Sequence, residues 1–157
     1  MRTDNRKVKN TVVSIYFILI VFAILFLTVF KSLDFLKDEI FFVLIGLFIV
    51  LVVFHSIAGY FEYDSDGSKI IVLNKGLLLT EYINYRERKL EFDRSELAGY
   101  KIKNFIIYKS LVLLVKKSNG KSIKERFNVT LVKKRKLKYV KQSLRKNLKE
   151  NLKRKQG

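Results

Sequence analysis

The chain has 157 residues, with 32 Lys and Arg against 14 Asp and Glu, a formal charge of +18 and no cysteine. That length leaves room for one domain of ordinary size beside a short appendage. Without cysteine there is no disulfide, thiol nucleophile or zinc-cysteine cluster.

Residues 1–10 hold Arg2, Arg6, Lys7 and Lys9 and read as a basic cytoplasmic flank. Residues 11–30, TVVSIYFILIVFAILFLTVF, carry no charge. As a helix they extend about 30 Å, the hydrocarbon thickness of a bilayer. A signal peptide is the rival reading, but its apolar core would be about 7 to 15 residues with small residues after it. Here the run is longer and is followed by Lys31-Ser32-Leu33-Asp34. Residues 31–39 are a short loop, and residues 40–60 form a second uncharged segment that includes His55. So short a link joins antiparallel helices, which predicts a transmembrane hairpin over residues 11–60 with both chain ends on one side. The loop has two basic residues, Lys31 and Lys37, against 26 in the residues that follow it. Positive flanks stay in the cytoplasm, so both termini are expected inside.

Beyond Tyr60 the hydrophobic period changes to alternation broken by turn chemistry. Asp64-Ser65-Asp66-Gly67, Asn74-Lys75-Gly76 and Ser118-Asn119-Gly120 supply Gly or Asn where a turn needs positive φ. They delimit expected strands at 61–63, 69–73, 78–85, 88–92, 97–103, 105–108, 111–116 and 122–127. Leu90 and Phe92 alternate with Lys89 and Glu91, as in a half-buried strand. Residues 111–115 are apolar on both faces and are expected at the centre of a sheet.

Leu137, Val140, Leu144, Leu148 and Leu152 then recur every three or four residues, which predicts an amphipathic helix over 130–155. Thr130 or Asn128 is placed to cap it. Its other face is basic, with Lys133, Lys134, Arg135, Lys136, Lys138, Lys141, Arg145, Lys146, Lys149, Lys153, Arg154 and Lys155 against the single acid Glu150. The predicted fold is a membrane α-hairpin followed by a mainly-β cytoplasmic domain over 61–157, whose core does not draw on the spans.

Three segments carry a resemblance: Phe61-Glu62-Tyr63-Asp64-Ser65-Asp66-Gly67, Leu90-Glu91-Phe92-Asp93-Arg94-Ser95-Glu96-Leu97, and Phe127-Asn128-Val129-Thr130-Leu131 leading into the helix. Together with the order of two spans, short strands and one helix, the chain resembles bacterial pleckstrin-homology-like (PH-like) membrane proteins over roughly 60–151. The resemblance implies a seven-stranded sandwich or barrel plugged by the helix, a binding or scaffolding role, and the bacterial inner membrane. Glu62, Asp64 and Asp66 make the first hairpin acidic, unlike the basic hairpin of phosphoinositide-binding relatives.

Candidate chemistry is sparse. His55 is the only histidine, and an ionisable group inside a span is a functional candidate by default. One turn from the cytoplasmic end, however, a neutral imidazole can reach headgroups or Ser56. Asp64-Ser65-Asp66-Gly67 resembles the start of a calcium loop, yet the sixth and twelfth positions are Lys69 and Lys75. No phosphate-binding loop occurs, and a Ser/His/Asp triad would have to recruit His55 from the bilayer. The reading is therefore a protein without catalysis, cofactor or metal. Its twelve helix cations are expected to meet anionic headgroups, each worth about 1 kcal/mol near the surface. An unidentified protein partner is expected as well. Tyr82, Tyr85, Arg86, Arg88, Tyr100, Lys101 and Lys103 interleave aromatics with cations as a single-strand binder does. A bilayer is the nearer polyanion, and nucleic acid is disfavoured. The alternative is an accessory subunit of a transport or export assembly, although there is no G-x-x-x-G and no ionisable residue besides His55 in either span.

Overall fold

The computed structural model describes residues 1–31, 38–77 and 87–156, with side chains at all of these except 27, 30, 31, 38–41, 43, 56, 155 and 156. Two antiparallel sheets enclose the core. The first contains β1 (Arg2–Asp4), β2 (Tyr60–Asp64), β3 (Lys69–Lys75) and β4 (Arg88–Asp93) in that spatial order. The second contains β5 (Leu97–Asn104), β6 (Lys109–Lys116) and β7 (Ser122–Asn128), with β6 central as its two-faced apolar run requires. Helices α1 (Arg6–Lys31) and α2 (Asp38–Ile57) lie between β1 and β2 in the chain, and α3 (Lys134–Gln156) follows β7.

Strand β1 has no counterpart in the sequence reading, where residues 1–10 are only a flank. Arg2, Thr3 and Asp4 pair with Asp64, Tyr63 and Glu62, and Thr3 is buried. Asp4 then accepts the Arg6 N–H through Oδ1 at 2.9 Å, so the chain passes from strand to helix within two residues.

Among the described residues, Arg6–Phe26 is the one segment long and apolar enough to cross a membrane. Only 6% of its most apolar stretch is buried, which separates it from the core helix of a soluble protein. In α2 the apolar run is shorter, Leu44–His55. The second predicted segment, 40–60, is helical only as far as Ile57, because Tyr60 already pairs with Lys75 in the first sheet. Residues 32–37 of the predicted loop lie outside the described residues.

Burial alternates as the pattern demands. Leu90 and Phe92 of β4 face inward with Phe61, Tyr63, Ile70 and Val72, against Leu111, Leu113, Val115 and Phe127 of the second sheet. Helix α3 packs on β5, on the 3-10 turn Arg94–Glu96 and on β1, and so closes the opening between the two edge strands. Val140 and Leu144 are fully buried there, with Leu137 and Leu148 partly so. Tyr63 reaches the helix through its hydroxyl, 3.0 Å from Ser143 Oγ. Burial pushes that hydroxyl's pKa up, while Ser143 and Ser65 pull it back.

Three expectations are corrected. Residues 105–108 form a turn and not a strand, with the Phe105 N–H donating to the Tyr108 carbonyl at 2.8 Å. Asn74 and Lys75 are the last residues of β3, not a turn. The last helix begins at Lys134 and not at 130, since Thr130 and Asn128 act as spacers: Thr130 Oγ1 accepts the Lys109 N–H and Asn128 Oδ1 accepts the Thr130 N–H. Leu152 leaves the apolar stripe at 54% exposure, because the helix has by then passed the edge of the sheets. The expected strand 78–85 lies outside the described residues.

Candidate membrane-facing surface

Strand directions give the β-domain two distinct ends. At one, the root, β1 ends and β2 begins, so α1 departs and α2 arrives at neighbouring points. The last residue of β3 and the first of β4 are also there, through the pairs Tyr60↔Lys75 and Asn74↔Arg88. The second sheet joins at the same end, where Asn128 Nδ2 donates to the Ile57 carbonyl at 2.5 Å. Asn104, Lys109 and Asn128 are therefore at the root, with the β5–β6 turn. The turns at 65–68 and 117–121 and the segment 94–97 lie at the far end.

Three asparagines hold the root together, because an amide supplies both a donor and an acceptor to backbone that has left its ladder. Asn5, 2% exposed, donates to the Gly59 carbonyl and accepts the Phe61 N–H, each at 2.9 Å. Asn74 donates to the carbonyls of Tyr60 at 2.7 Å and Asn128 at 3.0 Å, and accepts the Asn128 N–H. A Cβ on Gly59 would come within 3.3 Å of both Asn128 Nδ2 and the Lys75 carbonyl, so this junction admits only glycine without a shift.

Tyr16, Ala58 and Leu77 form a second small cluster, on which Val12, Leu51 and Leu131 pack. Tyr16 also meets the rings of Phe54 at 6.4 Å and His55 at 6.1 Å. Among the described residues, the Tyr16 hydroxyl and His55 Nδ1 are buried without a hydrogen-bond partner. Both sit where polar side chains give way to apolar ones, at Ser14 and Ile15 in α1 and at His55 and Phe54 in α2. Amphipathic rings collect at such a level in membrane proteins.

Helix α3 distributes its twelve predicted cations along the axis from root to far end. Lys136 is at the root, donating to the Asp4 carbonyl at 2.5 Å with its Nζ 3.7 Å from the Asp4 carboxylate. Asn151 is at the far end, donating to the carbonyls of Arg94 at 2.7 Å and Leu97 at 3.0 Å. The helix rises about 22 Å between them. Lys133, Lys134, Arg135 and Lys138 thus lie toward the root, and Lys153 and Arg154 beyond the far end. Lys141, Arg145, Lys146 and Lys149 are exposed between, and the Lys155 side chain lies outside the described residues. Lys136 is engaged by β1, and Arg135 leans on Tyr139, with Nε 3.0 Å from its hydroxyl.

The root has other cations that the helix pattern did not suggest. Lys75, Arg88 and Arg126 line an open cleft of about 550 Å³ together with Tyr108 and the Asn74 and Asn128 amides. They come from three strands in the two sheets, so no run in the sequence announces them. Lys101 and Lys103 lie on the outer face of β5 with Val112 and Leu114 of β6, whereas Tyr100 packs on the core. The aromatic and cations of that run thus face opposite ways, unlike a stacking surface for single strands. Tyr82, Tyr85 and Arg86 lie outside the described residues. Among the described residues no group of three His, Asp or Glu is placed to hold a metal ion.

No family model, curated protein or solved structure matches the chain.

Proposed function

We propose that this chain is a membrane-anchored, non-catalytic binding module of the bacterial inner membrane: a helical hairpin crosses the bilayer twice and holds a basic, PH-like β-domain against the cytoplasmic leaflet, where it engages anionic headgroups and a protein partner. One observation carries the reading, the pairing of β1 with β2 across the two apolar helices. Both helices are joined to one end of one sheet, so a chain that crosses along α1 has to return along α2. Cleavage after the first apolar segment would remove β1 and Asn5 from the folded domain, which argues against a signal peptide. Two sheets closed by a terminal helix support the PH-like reading of the domain.

Topology is the direct test. In the cysteine-free chain, Ser32→Cys is expected to react with an impermeant maleimide on intact cells, and Ser68→Cys, in the exposed far-end turn, only after permeabilisation. Labelling of Ser68→Cys alone would reverse the orientation, and equal labelling of both would refute the hairpin.

The headgroup part predicts a contrast along α3. In lipid nanodiscs, anionic lipid is expected to raise the β-domain's unfolding midpoint over that in zwitterionic lipid, since binding to the folded state stabilises it. Lys133→Glu with Lys134→Glu should reduce that gain, and salt near about 0.5 M should abolish it. Lys153→Glu with Arg154→Glu should leave the gain intact, because about 22 Å of helix far exceeds a Debye length of about 8 Å. Equal loss from both pairs would mean that the far end also lies on the membrane.

A further inference from the structure

We propose that the β5–β6 turn is a third membrane contact, an apolar wedge that enters the boundary between headgroups and acyl chains beside the two helices. This rests on the reading that those helices span the bilayer. Phe105, Ile106 and Ile107 are 55%, 105% and 68% exposed, three consecutive large apolar residues at the tip of a turn. A soluble surface rarely carries such a run unless it has a use. The turn is built and not slack: its backbone closes from Phe105 to Tyr108 and their rings stack at 6.2 Å.

Position identifies the occupant. The turn opens at the root, and it returns into β6 at Lys109, whose N–H and carbonyl are bound by Thr130 and Val129. The next residue, Leu131, packs on the cluster of Tyr16, Ala58 and Leu77, against which Val12 of α1 and Leu51 of α2 also pack. Tyr16 lies ten residues into α1, about 15 Å along its axis, so the domain's root already reaches the level where Ser14 gives way to Ile15. A turn projecting from that level has the bilayer boundary as its neighbour. Lys103 and Lys109 flank it on β5 and β6, with Lys133 and Lys134 just beyond Leu131. Apolar side chains at the tip with cations behind them are the pattern by which a peripheral element lies in an anionic interface. The hairpin supplies attachment; the wedge fixes the rotation of the domain and decides which of its faces remain open to a partner.

The test uses the full chain in vesicles of zwitterionic and anionic phospholipid, with one environment-sensitive fluorophore at Ile106→Cys. Phe17→Cys in α1 reports the span, and Ser68→Cys reports the far end. The Ile106 probe is expected to be blue-shifted relative to the Ser68 probe and quenched by lipids bearing a nitroxide near the headgroup. If it behaves like the Ser68 probe while the Phe17 probe is quenched, the wedge is refuted and the span stands. A blue shift without lipid quenching means that protein covers the turn, and also overturns the proposal. If the Phe17 probe too escapes quenching, the spanning reading fails and takes the wedge with it.

Discussion

Leu144→Ala is expected to lower the stability of the β-domain by about 2 to 5 kcal/mol, the range for emptying a well-packed leucine site. Leu144 is fully buried within the core cluster, where α3 bridges the opening between β1 and β5. Neighbours on two sheets and a helix cannot all collapse into the space, so most of the cavity should persist. A domain of this size has about 5 to 15 kcal/mol in total, and such a loss will show in pulse proteolysis of the detergent-solubilised protein. Leu152→Ala is the internal control. Its side chain is 54% exposed, and the change should stay within about 0.5 kcal/mol. Equal losses at the two positions would mean that the helix is gripped along its whole length; no loss at either would detach it from the sheets.

Asn5→Ala is expected to have an effect of comparable size, although it removes no apolar surface. The amide satisfies the Gly59 carbonyl and the Phe61 N–H in a buried site. Alanine leaves both without a partner, at about 1 to 3 kcal/mol for each buried polar group. The damage should be local in origin and wide in consequence, because Phe61 belongs to the main core and Gly59 to the hinge between α2 and β2. Arg2→Gln, which breaks the ion pair from Arg2 Nη2 to Glu62 at 2.6 Å, separates this effect from the loss of β1 charge. The Arg2 side chain is 59% exposed, and solvent screening leaves such a pair little weight in stability. If Arg2→Gln proved as damaging as Asn5→Ala, the edge strand and not the amide would hold the junction.

These two sites mark where the sequence was legible. Leu144 could be found because helix periodicity is local: Leu137, Val140, Leu144 and Leu148 announce a face without reference to the rest of the chain. The alternation of Leu90 and Phe92 and the central place of β6 were readable for the same reason. Asn5 could not be found, since its partners are Gly59 and Phe61, and three polar residues before a helix look the same whether or not a strand receives them. The β5–β6 turn was misread because Phe105, Ile106 and Ile107 have strand propensity, and propensity does not report that nothing covers them. Leu152 kept the stripe's spacing past the point where Asn151 meets the last carbonyls of the far end. The cleft cations Lys75, Arg88 and Arg126 are dispersed over 52 positions of sequence, and only the pairing of strands gathers them. The apolar core includes no residue before Phe61, whereas the sheet edge includes β1.

The pairing of Asp4 with Glu62 also sets an order of events during synthesis. Strand β1 leaves the ribosome before either apolar helix, yet its partner comes after both, so on the proposed topology β1 has to wait unpaired while the helices insert. It can then close the sheet only if the chain has gone out and come back. A molecule in which one helix failed to insert, or in which both ends were translocated apart, would present β2 with an empty edge and leave the Gly59 carbonyl and Phe61 N–H without Asn5. On the proposed topology the β-domain would thus act as its own proofreader, reaching full stability only on a correctly threaded anchor and exposing misthreaded copies to proteolysis.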